Sequence, residues 1–160
     1  QEEQPPDHRG DTPITPSVQG LAAGVGLFAI ALLLGAMVFF AAVVAPSVFR
    51  ALEPRHAGAF LRRLFPVYYV FGAGMAAAAA IALLPVAWEA ALVMAVVASG
   101  FVFSRQALMP RINAYRDAEL AGDASAKLPF ARLHRLSVAI NLAQMVLVVL
   151  VLVGFAGRAW

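Results

Sequence analysis

The stretch VVAPSVFRALEPRHAGAFLRRLFPVYY, Val43–Tyr69, leaves one apolar run and enters another, and between them it carries three prolines, four arginines and one histidine. A short basic segment with apolar runs on both sides is typical of two membrane-spanning helices joined at a bilayer surface. The composition agrees, because 62% of the 160 residues are hydrophobic and only 13% are charged, whereas soluble domains have about 25% charged residues. The sequence therefore predicts an integral membrane protein.

Four apolar segments are long enough to cross a bilayer, which takes about 20 residues per helix. They predict spans at about residues 18–45, 66–85, 86–109 and 130–156. We therefore expect an all-α integral membrane fold in which two helical hairpins form a four-transmembrane-helix bundle over residues 18–160. Residues 1–17 are expected to be a polar tail outside this domain.

The positions of Lys and Arg predict the orientation of the bundle. Ten of the twelve basic residues flank the first and third connections. They are Arg50, Arg55, Arg62, Arg63, Arg105, Arg111, Arg116, Lys127, Arg132 and Arg135. By the positive-inside rule both connections face the cytoplasm, and the N and C termini lie outside.

The N-terminal residues suggest a cellular location. The chain starts at Gln1 without methionine, and QEEQPPDHRGDTPITP is polar and rich in proline. A tail of this kind is expected after removal of a signal peptide, with a trimmed start as the alternative. We therefore predict a multi-pass protein of the cytoplasmic (inner) membrane with a cleaved signal peptide. The excess of positive charge then favours contact with anionic membrane lipids, and no nucleic-acid partner is expected.

Three prolines in the opening stretch predict interruptions in the helices. Pro46 is expected to end or bend the first span, because it lacks an amide proton and its ring clashes with the preceding turn. Pro54 suits the first turn of a new helix. A short interfacial helix is expected from Pro54 to Phe65, followed by a kink at Pro66 and then by the second span.

Polar side chains inside the spans predict where a site would lie. In the fourth span His134, Ser137, Asn141 and Gln144 recur at intervals that place them on one face of a helix. Such a stripe should face the bundle interior, either for hydrogen bonds between helices or around a polar cavity. We expect a cytoplasmic mouth that binds a ligand, and expect Arg50, Arg111, His134 and Asn141 to converge in one hydrogen-bonded cluster. The candidate ligand-binding residues are Arg50, Tyr69, Arg111, Asn113, His134 and Asn141.

Several short motifs together resemble a known family. APSVFR, LFPVYY, MPRINAYRD and FARLHRLSVAIN are similar to segments of the transmembrane protein 205-like family, a four-span group described as domain of unknown function 4149. The resemblance runs from about Gly20 to the C terminus and implies a fold more than a reaction. The group is in turn distantly similar to the copper resistance protein D and membrane protoporphyrinogen oxidase families, which suggests haem or metal.

The histidines and cysteines limit a cofactor. The chain has three histidines and no cysteine, so thiolate metal sites are excluded and no metal site is predicted. No cofactor is expected, and the alternative is a single haem b ligated by His56 and His134, which lie on the same predicted membrane side. No nucleophile is paired with a base, so no catalytic residue is assigned and an enzyme is not favoured.

These observations leave three predictions of function. The first is a small membrane protein with a polar cytoplasmic-side cavity that binds or transports a small anionic or amphiphilic ligand, with arginines as its charged contacts. The second is an accessory or structural subunit of a larger membrane complex, or of a homo-oligomer. The third is a haem- or metal-binding membrane protein.

Overall fold

The computed structural model describes residues 17–157, and residues 1–16 and 158–160 lie outside the described range, together with nearly all of the expected polar tail. Within that range the fold is all-helical. Its four long helices are α1 Val18–Ala51, α2 Pro54–Leu83, α3 Trp88–Leu120 and α4 Lys127–Ala156. Each is long and apolar enough to cross a membrane, so the predicted four-helix membrane bundle is confirmed.

Helices α1 and α3 each contain one π-helical segment, Phe40–Val44 in α1 and Ser104–Leu108 in α3. A proline follows each segment at the same distance, Pro46 and Pro110. The backbone hydrogen bonds there join residues five apart, since the Ala45 N–H donates to the Phe40 carbonyl. A π turn is wider than an α turn, which gives the proline ring room beside the preceding carbonyls. Helix α1 therefore does not end at Pro46 but continues to Ala51.

Helix α2 contains both the expected short helix and the second span. A short helix from Pro54 to Phe65, a kink at Pro66 and then the span were expected, and Pro54–Leu83 is one 30-residue helix with Pro66 inside it. The reason is that a proline removes only one donor from the ladder, and packed neighbouring helices hold the remaining turns in place. At about 1.5 Å per residue the helix is about 45 Å long, so it extends beyond a hydrocarbon layer of about 30 Å.

The bundle is a square in which each helix packs against the next one in sequence, and α1 also packs against α4. Helices α2 and α4 are therefore diagonal partners. Gly26 near the start of α1 lies against Leu83 at the end of α2, as expected for antiparallel neighbours. We call the end that holds the α1–α2 and α3–α4 connections the basic end, and the end that holds the α2–α3 turn the opposite end.

The α3–α4 connection is built from local turn chemistry. Gly122 has φ +100, a left-handed conformation that favours glycine. Asp123 accepts hydrogen bonds from the Ser125 hydroxyl at 2.6 Å and from the Ser125 backbone N–H at 2.9 Å. These two bonds favour the charged form and hold the pKa of the exposed Asp123 carboxyl below its usual range. The loop thus positions the 3-10 turn Ala124–Ala126 before α4.

Small residues let α2 approach its neighbours closely. Gly72, Ala76 and Ala80 are buried along one face of α2, and a Cβ added at Gly72 would lie only 2.7 Å from the ring of Phe101 on α3. Such close backbone approach is the usual basis of helix packing in membranes. Gly24 and Gly35 on α1 differ, because both face outward and a Cβ at either position would meet nothing within 4 Å.

Candidate functional site

Two hydrogen bonds cross the interior of the bundle from α2 to α4. The Tyr68 hydroxyl donates to Asn141 Oδ1 at 2.7 Å, and the Tyr69 hydroxyl lies 3.2 Å from Ser137 Oγ. Both tyrosines are buried, while Ser137 and Asn141 are half-buried. We call these four residues the polar layer. Because α2 and α4 are diagonal partners, the long tyrosine side chains bridge the space between them at this level.

The polar layer lies at the middle of α2 and between the middle and the basic end of α4. Counted from the ends of α2 and α4 at about 1.5 Å per residue, its members lie about 21–28 Å from the opposite end. This is just inside a hydrocarbon layer of about 30 Å. Hydrogen-bonding groups at that depth are costly when they face lipid, which explains why these four pair with one another inside the bundle.

An aromatic cluster surrounds the two tyrosines. Phe40 stacks on Tyr68 with ring centroids 4.7 Å apart, and Phe65 stacks on Tyr69 at 5.7 Å. Phe101 contacts both tyrosine rings at 5.9 and 6.5 Å and is fully buried. The π segment of α1 begins at Phe40, so one ring of the cluster belongs to the irregular part of that helix. The aromatic cluster fixes the rotamers on which the polar layer depends.

One further polar contact lies deeper. Gln144 Nε2 donates to the Val97 carbonyl at 2.8 Å, and the Gln144 side chain is only 5% exposed. Gly100 makes room for it, because a Cβ there would lie 2.8 Å from Gln144 Nε2. Ser137, Asn141 and Gln144 of the predicted polar stripe thus all form interhelical hydrogen bonds, which is the alternative that requires no cavity.

The structure separates the residues that were expected to form one site. Tyr69 and Asn141 belong to the polar layer, Asn113 is half-buried, and Arg50, Arg111 and His134 are exposed. Within residues 17–157 neither arginine nor His134 hydrogen-bonds to Asn141, so the expected four-residue cluster does not form. The reason is the length of two helices. Helices α1 and α3 continue past their prolines and carry Arg50 and Arg111 beyond the level of the polar layer.

The two candidate haem ligands lie on the exposed surface. His56 Nδ1 is 3.9 Å from a Glu53 carboxylate oxygen, with 71% of its side chain exposed. The His134 ring stacks on Phe130 with centroids 5.9 Å apart and planes 16° apart. Among the described residues no three histidine or acidic side chains group together as metal ligands would. The haem interpretation stays a prediction.

Ion pairs stiffen the basic end outside the predicted spans. Arg62 on α2 bonds Asp117 on α3 at 2.8 Å, and Arg116 bonds Glu119 at 2.8 Å within α3. The Arg116 guanidinium also lies 5.3 Å from the centre of the Phe130 ring on α4, within the range of a cation–π contact. These contacts tie α3 to both of its neighbours where the helices extend beyond the apolar layer.

Arg105 is a functional candidate that the predicted site did not include. It lies in the π segment of α3, next to the buried Ser104. Its side chain is half-buried, and its Nε atom is buried without a hydrogen-bond partner in the described part of the chain. The sequence held a signal for it, because Arg105 lies closer to the centre of its span than any other basic residue of this end lies in its own. Depth within the span, rather than spacing on a helix face, would have identified it.

The hydrogen-bonding groups of the polar layer are hydroxyls and one amide. The tyrosine hydroxyls are paired with a neutral amide and a neutral hydroxyl, neither of which is a general base at neutral pH. Positive charge dominates the basic end. Two surface grooves lie at the opposite end, between α2 and α3 and between α3 and α4, and apolar side chains form most of their lining.

A comparison with protein families gives one match. The model of a domain of unknown function, DUF4149, matches residues 28–120, which is more than half of the chain. The matched range holds most of α1 and all of α2 and α3, together with Tyr68, Tyr69 and Arg105. It ends before α4, which supplies Ser137 and Asn141. No curated protein matches the chain, and no solved structure matches it.

Proposed function

The chain belongs to the DUF4149 family, a domain of unknown function, and from its geometry we propose that this small four-helix membrane protein binds an anionic amphiphile at its basic end. The observation that carries the proposal is the charge imbalance there. Ten basic residues accompany four acidic ones, which are Glu53, Asp117, Glu119 and Asp123. Asp117 and Glu119 are already paired with arginines. Seven of the basic side chains are exposed, and they form a surface that attracts negative charge.

The position of this charge favours a ligand that approaches from the membrane. The helices reach about 45–50 Å, so the exposed Arg50 and Arg111 would lie at headgroup level or beyond it while the polar layer lies just inside the apolar region. In the orientation expected from the positive-inside rule, this end faces the cytoplasm. Arginine side chains at that level bind phosphate or carboxylate through charge-assisted hydrogen bonds, while the apolar part of the ligand stays among lipid chains.

The candidate residues take different roles in this proposal. Arg50, Arg111 and His134, which are exposed, make contact with the ligand together with Asn113. Tyr69 and Asn141 act as positioning residues, because their hydroxyl and amide are engaged with the diagonal helix. Binding could serve sequestration or transport, and both need the same first contact.

A thermal unfolding assay tests the proposal. Detergent-purified protein is mixed with a short-chain anionic phospholipid or with a zwitterionic phospholipid of the same chain length. The anionic lipid should raise the unfolding temperature, since a ligand at a hundred times its Kd stabilises by about 2.7 kcal/mol. The double variant Arg50→Gln/Arg111→Gln should lose this gain, whereas Ser99→Ala should keep it, because Ser99 bonds only to Ala95 of its own helix. Equal shifts with both lipids would overturn the proposal.

A second candidate is an accessory subunit or a homo-oligomer, and the outward face of α1 favours it. Gly24, Ala31 and Gly35 are exposed on α1, and small residues on such a face let another helix approach. The double variant Gly24→Leu/Gly35→Leu should then lower the oligomeric state measured by light scattering in detergent. A monomeric wild type, or an oligomer whose mass the double variant leaves unchanged, would reject a homo-oligomer formed through this face.

A further inference from the structure

Three of the ten basic residues at the basic end are half-buried, Arg62, Arg105 and Arg116, and the other seven are exposed. Arg62 is paired with Asp117 and Arg116 with Glu119, both at 2.8 Å. Arg105 has no carboxylate within ion-pair distance among residues 17–157, and its Nε is buried without a partner. Two of the half-buried arginines thus pair with a carboxylate, and the third has none among the residues that the structure describes.

Arg105 is also the deepest of the ten. Counted from Trp88 at about 1.5 Å per residue, it lies about 26 Å along α3, whereas Arg111 lies about 35 Å along the same helix. The hydrocarbon layer is about 30 Å thick, so Arg105 is the basic residue that falls inside its boundary. A charge at this depth is costly unless it reaches an anion or water at the interface.

The local structure holds the Arg105 side chain against the bundle. Arg105 lies in the π segment Ser104–Leu108, whose first and last residues are both buried. Because Nε is buried while the side chain as a whole is half-buried, part of its surface stays accessible from outside. A π segment within a membrane helix is often found at a functional site.

We propose that Arg105 binds the phosphate of an anionic membrane lipid. Its guanidinium group donates hydrogen bonds to the phosphate oxygens. This inference rests on the proposed function and names the headgroup chemistry and the deepest contact of that site. Guanidinium pairs with phosphate through two parallel hydrogen bonds, which an ammonium cannot reproduce. The lipid, rather than free phosphate, is the occupant because Arg105 lies below the headgroup level, where its long side chain reaches up to a phosphate that acyl chains hold in the membrane.

The test compares three variants in a phosphorus NMR titration. Purified protein in zwitterionic detergent is titrated with a short-chain diacylglycerol phosphate, and in a second arm with inorganic phosphate. Arg105→Gln should weaken lipid binding by about ten- to a hundredfold, as expected for the loss of a charged hydrogen bond. Arg105→Lys should fall between this variant and the wild type. Ser99→Ala on the same helix is the control, because Ser99 lies outside the basic surface and bonds to Ala95 of its own helix, and it should change affinity less than about threefold.

The outcomes separate the two claims. If the wild type binds the lipid and Arg105→Gln binds it equally well, the Arg105 assignment is wrong while the proposed function stands. If the wild type does not bind the lipid at all, the proposed function and the assignment both fail. Equal affinity for inorganic phosphate would overturn the choice of a lipid. Circular dichroism of Arg105→Gln and Arg105→Lys checks folding, and a folded Arg105→Lys that retains full affinity would also contradict a requirement for the guanidinium fork.

Discussion

Replacing Gly72 by alanine should weaken the bundle beside the aromatic cluster. The added Cβ would lie 2.7 Å from Cε1 and Cζ of Phe101 and 2.9 Å from Cδ1, whereas carbon atoms in contact are about 3.5–4.0 Å apart. The Phe101 ring cannot turn away freely, since it is fully buried and lies against Tyr68 and Tyr69. Either the ring or helix α2 must shift by about 1 Å, and overpacking of this kind costs about 1–3 kcal/mol.

Gly74→Ala supplies the matched control. Gly74 lies on the same helix, but it is exposed and its Cβ would meet nothing within 4 Å. Both substitutions gain the same helix propensity, up to about 1 kcal/mol, so this gain cancels when the two variants are compared. Unfolding in mixed micelles, followed by circular dichroism as the denaturing detergent is increased, should place Gly72→Ala below Gly74→Ala by about 1–3 kcal/mol.

A second background checks the cause of this difference. In Phe101→Leu the ring atoms nearest to Gly72 are removed, so adding Gly72→Ala there should cost much less than it does in the wild type. Two findings would refute the reasoning. One is an equal effect of Gly72→Ala and Gly74→Ala in the wild type, and the other is an undiminished cost of Gly72→Ala in Phe101→Leu.

Three other measurements test the polar layer, the ion pairs and the orientation. Tyr68→Phe and Asn141→Leu should each weaken the bundle, with a coupling of about 0.6–1.7 kcal/mol in a double-mutant cycle; additive effects would contradict the 2.7 Å hydrogen bond. Arg62→Gln and Asp117→Asn should couple by less than about 1 kcal/mol, because these side chains are 38% and 60% exposed, and a coupling that resists high salt would be inconsistent with this. A reporter fused to the C terminus should work only in a form active outside the cytoplasm; a fusion active in the cytoplasm would reverse the predicted orientation.

Packing changed the predicted site more than it changed the predicted fold. The spacing of Ser137, Asn141 and Gln144 correctly predicted one inward face of α4, because side chains that recur at helical spacing share a face wherever the helix lies. The same spacing predicted an inward His134, yet His134 is exposed. It lies inside the predicted span 130–156 but nearer the basic end, where the ring stacks on Phe130 and the cost of exposing a polar group falls because the lipid headgroups are near.

The prolines also show a feature that the sequence alone did not predict. Pro46 was expected to end or bend the first span, but α1 continues past it after a π segment, because neighbouring helices hold the turns in place. At Pro66 the helix continued without a break. Helices α1 and α3 likewise continue past Pro46 and Pro110, which carries Arg50 and Arg111 beyond the level of the polar layer and separates residues that had been expected to converge.

By itself the sequence determined the four apolar helices and the end where positive charge collects, because the length of an apolar run and the count of charges do not depend on how helices pack. Only the tertiary structure decided that Tyr68 and Tyr69 reach α4 across the diagonal, and that Arg105 alone among the half-buried arginines has no carboxylate beside it in the described chain. The physical reason is that the partner of a polar side chain depends on the rotation and depth of two helices relative to each other. Close contacts such as Gly72 with Phe101 fix both quantities, and they join residues that are distant along the chain.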